Sequence, residues 1–241
     1  MAGANCLVTN EWFCGEYLQT RGQELTHATL QHVGITVASV VIGLLVAFPL
    51  ALLARRRRAV AGPVLGLTTV LYTVPSLAMF SLLVPVFGLS ASVVVTGLVL
   101  YSLTVLVRNI LAGLASVPEE AREAARGMGY GPLRLLFQVE LPLALPALMA
   151  GLRIATVSTV SLTTVGAIIG YGGLGNLIYE GMHSYFKAQV LTASVLCVAL
   201  AIVADLALLL VQRLLTPWTR AGTRARRAAR RTAAAAAEGA A

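Results

Sequence analysis

Five stretches of this chain, about 28–54, 62–87, 91–114, 143–169 and 188–214, each run for more than twenty residues with almost no charged side chain. A helix rises 1.5 Å per residue, so about 20 apolar residues cross the roughly 30 Å hydrocarbon core of a bilayer. None of the runs alternates polar and apolar residues with the period of two that a membrane β-barrel needs. The expected fold class is therefore all-α, a polytopic membrane protein with about five transmembrane helices. Composition agrees: 58% of residues are hydrophobic and only 12% charged, against about 25% charged in soluble domains. So little charge also excludes a disordered chain, which depends on high charge and low hydrophobicity. The net charge of +8 does not point to nucleic acid, because the basic residues sit in short blocks between apolar runs.

Lys and Arg near the ends of spanning helices are retained on the cytoplasmic side, so their placement gives an orientation. Arg55–Arg58 follow the first run, Arg122, Arg126 and Arg134 lie between the third and fourth, and Arg213 to Arg231 follow the fifth. The opposite segments carry only Arg21, beside Glu11, Glu16 and Glu24, and Lys187. The N-terminus is expected outside and the C-terminus inside. Residues 1–26 lack a basic start and a short apolar core and read as an extracytoplasmic segment rather than a cleaved signal. Residues 27–215 form the membrane domain, and 216–241 a basic, disordered tail facing solvent or headgroups. Cys6 and Cys14 fall on the outer side, where a short-loop disulfide and two free thiols are both open. Cys197 reads as a packing residue inside the fifth run.

Much chemistry is excluded. Lys187 is the only lysine and is followed by Ala188, so no phosphate-cradling G-x-x-x-x-G-K-[ST] loop exists. His27, His32 and His183 have no Cys or carboxylate at metal-ligand spacing, so no metal site is expected. Gly170 to Gly175 formally match G-x-G-x-x-G, but an apolar helix precedes them and Val195 stands where the acidic residue of a dinucleotide site belongs. These glycines read as a sharp turn, or, with Gly166 and Gly170 four apart, as a place where helices approach closely.

The one long break in hydrophobicity, 117–142, is cytoplasmic by the charge argument. Pro118 followed by Glu119 and Glu120 is a good helix start, giving a helix over about 118–128. Gly127, Gly129, Gly131 and Pro132 end it. A second short helix over about 132–139 would expose Leu133, Leu136 and Phe137, and Pro142 and Pro146 would return the chain to the membrane.

Glu123-Ala124-Ala125, then Gly129, Val139 and Leu141-Pro142 at their spacing, resemble the EAA loop of bacterial ABC-importer permeases, with Val where the usual pattern has Ile. The resemblance implies the type I ABC-importer permease fold, with these seven residues docking in a groove of an ATPase subunit. It implies one of two permeases, a second copy or a paralogue, placed in the bilayer above an ABC ATPase dimer and below an extracytoplasmic solute-binding protein. ATP and Mg would be bound by the ATPase, with no cofactor in this chain, which would be a transport subunit and not an enzyme. Residues 74–89, 101–114 and 141–178 are similar to permeases of the osmoprotectant group, which import glycine betaine, choline, carnitine or proline-like solutes. The alternative is a methionine-type or other small-solute permease, because those share a similar five-helix core.

Hydroxyls are dense in the fourth run. Thr156, Thr159 and Thr163 share a helical face, which suits either replaceable hydrogen bonds to a passing zwitterion or bonds to their own i−4 carbonyls. Tyr72, Pro75 and Ser76 are a second candidate path, because Pro75 must disturb the second run and freed backbone groups at membrane depth face protein or a wet cavity. Arg153 and Asp205 lie within runs, about two turns from the cytoplasmic ends. Unpaired charges there are expensive, so they are expected to pair with each other or face a cavity, the ion pair being favoured. Arg108 can snorkel to the interface. No aromatic cluster resembles a cage for a quaternary ammonium ion, which puts solute choice in a separate binding protein. Trp12, Phe13, Tyr17, Tyr171, Tyr179 and Tyr185 on the outer side suit interface anchoring better than contact with that partner.

Overall fold

The computed structural model describes residues 6–218; the expectation of a disordered tail falls almost wholly outside the described residues. The elements in chain order are α1 (Cys6–Thr9), α2 (Gly15–Thr20), α3 (Gly22–Arg56), α4 (Arg58–Thr73), α5 (Ser76–Phe87), α6 (Ala91–Ala115), α7 (Glu119–Gly127) and α8 (Pro132–Leu135). A π-helical turn, Leu136–Glu140, leads into α9 (Leu141–Thr163) and a 3₁₀ turn, Thr164–Ile169, before α10 (Leu174–His183) and α11 (Lys187–Leu215). No strand occurs among the described residues.

Four continuous segments are long and apolar enough to span a bilayer: Gly22–Arg56, Ala91–Ala115, Pro132–Ile169 and Lys187–Leu215. The fifth expected span is broken, with α4 and α5 meeting at 100°. Pro75 supplies the cause, since it has no N–H and drives the preceding residue out of the helical region; Val74 accordingly has φ −64° and ψ 128°. The carbonyl freed at Val74 accepts the Tyr101 hydroxyl from α6. Thr104 of α6 donates to Thr68 O at 2.5 Å, and Arg108 donates to Thr69 Oγ1 at 2.9 Å rather than only reaching for the interface. The break is thus stitched to its neighbour.

Helix α6 is the hub, packed against α3, α4, α5 and α9. In lipid the hydrophobic effect does not drive helices together, so close backbone approach and dispersion must. Small residues supply it: Gly43, Ala47, Ala51 and Ala54 form the buried stripe of α3. Gly113 of α6 lies where a Cβ would stand 3.4 Å from the Cβ of Ala147 in α9. Helix α11 buries only Ala188 and Ala193 and exposes Leu206, Leu210 and Leu214, a surface suited to hydrocarbon and not to water.

At the end of the bundle away from α7, the N-terminal segment forms a cap. Cys6 and Cys14 are joined by a disulfide, which replaces the two-thiol alternative. Asn10 bridges the α10–α11 connection, donating to Tyr185 O at 2.8 Å and accepting from Lys187 N at 2.9 Å. Tyr17 is buried and meets the Phe186 ring edge-on at 5.3 Å. Burial first, and Glu24 second, push its hydroxyl pKa up to about 12. Tyr17 is therefore a core residue, not an interface anchor.

The glycine-rich segment after α9 makes a compact turn into α10, a helix that sequence periodicity did not single out. Gly170 and Gly173 have φ of +82° and +57°, and a Cβ on Gly173 would lie 2.7 Å from the His32 backbone. Asn176 closes the turn, accepting from Gly172 N and donating to Gly170 O, both at 2.9 Å. Of the two glycines four apart, only Gly166 sits at a close approach, where an added Cβ would lie 2.9 Å from Val94, while Gly170 has open space around it.

Candidate functional site

The break in hydrophobicity folds as anticipated at its first helix. Pro118 precedes α7 with φ −57° and ψ 138°, and Glu119 and Glu120 occupy the first turn. The helix ends in a Schellman turn: Gly129 N donates to Arg126 O at 2.9 Å and Tyr130 N to Ala125 O at 3.1 Å. This closure requires a left-handed residue, and Gly129 has φ +81°. Ala125 is 1% exposed and seats the helix, whereas Glu123 and Ala124 face outward. Met128, Leu133 and Phe137 add exposed apolar surface on the same loop.

The second helix departs from expectation. It does not stop near residue 139: α8 passes through the π turn into α9 without a break, and Leu136 is buried at 8% rather than displayed. Leu141 N bonds to Leu136 O, five residues back, and Pro142 has no N–H to offer, so the extra residue enters where the ladder is already interrupted. Val139, Leu141 and Pro142 are half-buried. Val139 and Pro142 line a shallow crevice with Leu143 and Trp218.

Beneath α7 lies an ion network not singled out from sequence. Glu140 is 4% exposed and accepts from Arg55 Nη1 at 2.8 Å and Nη2 at 2.5 Å, and from Arg122 Nε at 3.0 Å. Arg122 also donates to Glu119 at 2.7 Å and to Leu114 O at 2.6 Å. Arg126 reaches Glu119 at 3.2 Å. The Arg122 hydrogen bond holds the Glu119 carboxyl below its ordinary pKa. One signal was available: Glu140 is the sole carboxylate between Glu123 and Glu180, at the edge of an apolar run. Beside the network, Pro49, Arg55, Arg56, Arg126 and Leu133 line an open crevice of about 460 Å³.

The other candidates lie in the membrane. Thr156, Thr159 and Thr163 share a buried face, at 8%, 3% and 0% exposure. Each hydroxyl donates at 2.8 Å to its own i−4 carbonyl, of Leu152, Ala155 and Thr159 respectively, and Thr163 stands 3.4 Å from the Thr36 hydroxyl of α3. Their geometry in the single chain is that of helix packing. Tyr72 is exposed, with its ring 6.1 Å from Tyr101, while Pro75 is exposed and Ser76 half-buried at the α4–α5 break. No hydrogen bond links these residues to the threonines.

Arg153 and Asp205 are brought together across α9 and α11 in a two-point pair, Nε to Oδ1 and Nη2 to Oδ2, both at 2.7 Å. Their positions relative to Leu141 and Leu215 put them about 18 and 15 Å along the helix axes at 1.5 Å per residue, deeper than two turns. Ser158 shares their crevice. Among the described residues no group of three or more His, Cys, Asp or Glu could hold a metal ion.

Residues 39–221 match the family described as binding-protein-dependent transport system inner membrane component. The chain belongs to this family. It is 35% identical over 202 residues to the choline transport system permease protein OpuBB of Bacillus subtilis, covering 84% of this chain and 93% of that protein. It is 36% identical over 206 residues to the osmoprotectant import permease protein OsmW of Salmonella typhimurium, covering 83% and 96%. Its fold is similar to a chain of the MetNI methionine ABC transporter in an inward-facing conformation, with TM-score 0.70, 22% identity, and coverage of 78% of this chain and 94% of that one. This permease is thus a multi-pass membrane transport component rather than an enzyme, and a permease of this kind works with an ATPase and a solute-binding protein. Its fold is the type I importer fold.

Proposed function

We propose that this permease belongs to an importer of osmoprotectants, quaternary amines such as glycine betaine, choline or carnitine and proline-like solutes, and that residues 118–142 are its coupling element. The observation that carries the coupling reading is the attitude of α7. Glu123 and Ala124 are displayed on a helix whose opposite side is seated by Ala125 and whose end is closed by Gly129. A partner can grip such a helix and move it without unravelling it.

In this reading the α7 end is cytoplasmic, the disulfide-braced end is outside, and ATP and Mg are bound by the ATPase dimer, with no cofactor in this chain. A second permease, identical or paralogous, completes the path. Chemical work is done elsewhere, and this chain converts the ATPases' approach into alternating access. The solute class is supported by relatives named for choline, glycine betaine and carnitine at 34–36% identity over more than four-fifths of the chain.

Reconstitution of the complex in liposomes tests both parts. ATP-dependent uptake of labelled glycine betaine or choline is expected, and uptake of methionine in their place would reassign the solute. Glu123→Lys is expected to leave the chain in the membrane while abolishing assembly with the ATPase or uptake; normal uptake would remove the coupling assignment.

A further inference from the structure

The loop that a partner moves is useful only if its motion reaches the membrane helices, and α7 is joined to α6 and α8 by short connections. Residues 116–118, with Val117 buried in the core, lead into it, and residues 129–131, where Gly129 and Gly131 have open space around them, lead out. The glycine-rich exit is where a push on α7 could be absorbed. One set of contacts bypasses both connections. Arg122 of α7 places its guanidinium on Glu140 at the head of α9 and on Leu114 O at the end of α6, at 3.0 and 2.6 Å. Glu140 also holds Arg55 at the end of α3 through two bonds. A single carboxylate therefore ties the moving helix to α9 and α3, and the same arginine separately reaches α6.

The π turn is part of this device. Inserting one residue turns a helix by about 100° relative to uninterrupted α geometry, and the turn ends on Glu140 itself. The carboxylate is directed under α7 and α3 while α9 keeps Ala144 and Met149 buried in the bundle. The planar fork of Arg makes the connection stiff in direction, which a flexible Lys would not.

We propose that Glu140 is a positioning residue, a clasp that transmits displacement of α7 to α3 and α9. It is buried and does not face the docking partner. The proposal rests on the coupling reading above but makes a separate demand: with the clasp broken, the partner still docks and still burns ATP, yet less solute crosses for each ATP.

The test uses the full complex with permease carrying Glu140→Gln, measuring ATPase assembly, ATP hydrolysis stimulated by the solute-loaded binding protein, and solute uptake in the same liposomes. The expected result is normal assembly, hydrolysis near wild type, and about fivefold or more ATP consumed per solute imported, the scale of ordinary coupling free energies. Hydrolysis and uptake falling in proportion, or uptake unchanged, would overturn the clasp. Loss of assembly in both Glu140→Gln and Glu123→Lys would instead point to docking. Should Glu140→Gln fail to reach the membrane, Arg55→Gln severs only the tie to α3 and leaves the Arg122–Glu140 bond in place; it is expected to raise the ATP consumed per solute in the same direction, and an unchanged ratio would overturn the clasp.

Discussion

Gly129→Ala isolates the backbone requirement of the turn that closes α7. The residue has φ +81°, and nothing lies within 4 Å of the position a Cβ would take. Crowding therefore contributes nothing, and the cost is that of holding an L-residue in the left-handed region, about 1–2 kcal/mol. Two hydrogen bonds, Gly129 N to Arg126 O and Tyr130 N to Ala125 O, depend on that conformation. If the closed turn is the form that docks, the ATPase should bind the variant about 5- to 30-fold more weakly, the same free energy expressed as a ratio. Asn tolerates the left-handed region better than Ala, so affinity should fall in the order Gly, Asn, Ala. Gly131→Ala is the control. Gly131 has φ −70° and ψ 166° and is equally uncrowded, so that variant should stay within about 0.5 kcal/mol of wild type. Titration of the ATPase onto permease in nanodiscs measures all four proteins. Wild-type affinity for Gly129→Ala, or an equal loss with Gly131→Ala, would refute the reasoning.

Two further outcomes follow from the geometry. Reducing or removing the Cys6–Cys14 link, which spans 8 positions, should release about 2.5 kcal/mol of loop-closure stabilisation. Amide exchange should rise across residues 6–20 while α6 stays protected; unchanged exchange in the cap would count against its bracing role. Replacing either partner of the membrane pair, by Arg153→Gln or Asp205→Asn, should lower the yield of folded permease, because each leaves a lone charge deep in its helix. The double replacement should recover much of that yield, and a double variant as poor as the sum of the singles would show that the two charges do not act as a pair.

Much of the fold was legible because a bilayer imposes few choices: a run long enough to cross must be helical. The bend at Pro75, the start of α7 at Pro118 and its end among the glycines from Gly127 were readable for the same reason, since each follows from the covalent geometry of one residue and its immediate neighbours. Where several neighbours compete, local reading faltered. The second short helix is expected to end near residue 139, but a π turn carries α8 into α9. The regular spacing of Thr156, Thr159 and Thr163 correctly placed them on one face without revealing that α3 covers it and that each hydroxyl bonds to its own helix.

The sequence by itself determined the class of solvent, the number of apolar segments and the place of the long polar break between them, all of which arise from composition, periodicity or spacing within some twenty-five residues. Only the tertiary structure decided that Glu140 would find Arg55, 85 positions away, that Asn10 would latch onto residues 185 and 187, and that the two cysteines would close a cap. A charge's preference for a partner is written in its chemistry, but which partner it meets depends on how helices distant in the chain come to lie together, and no local pattern encodes that.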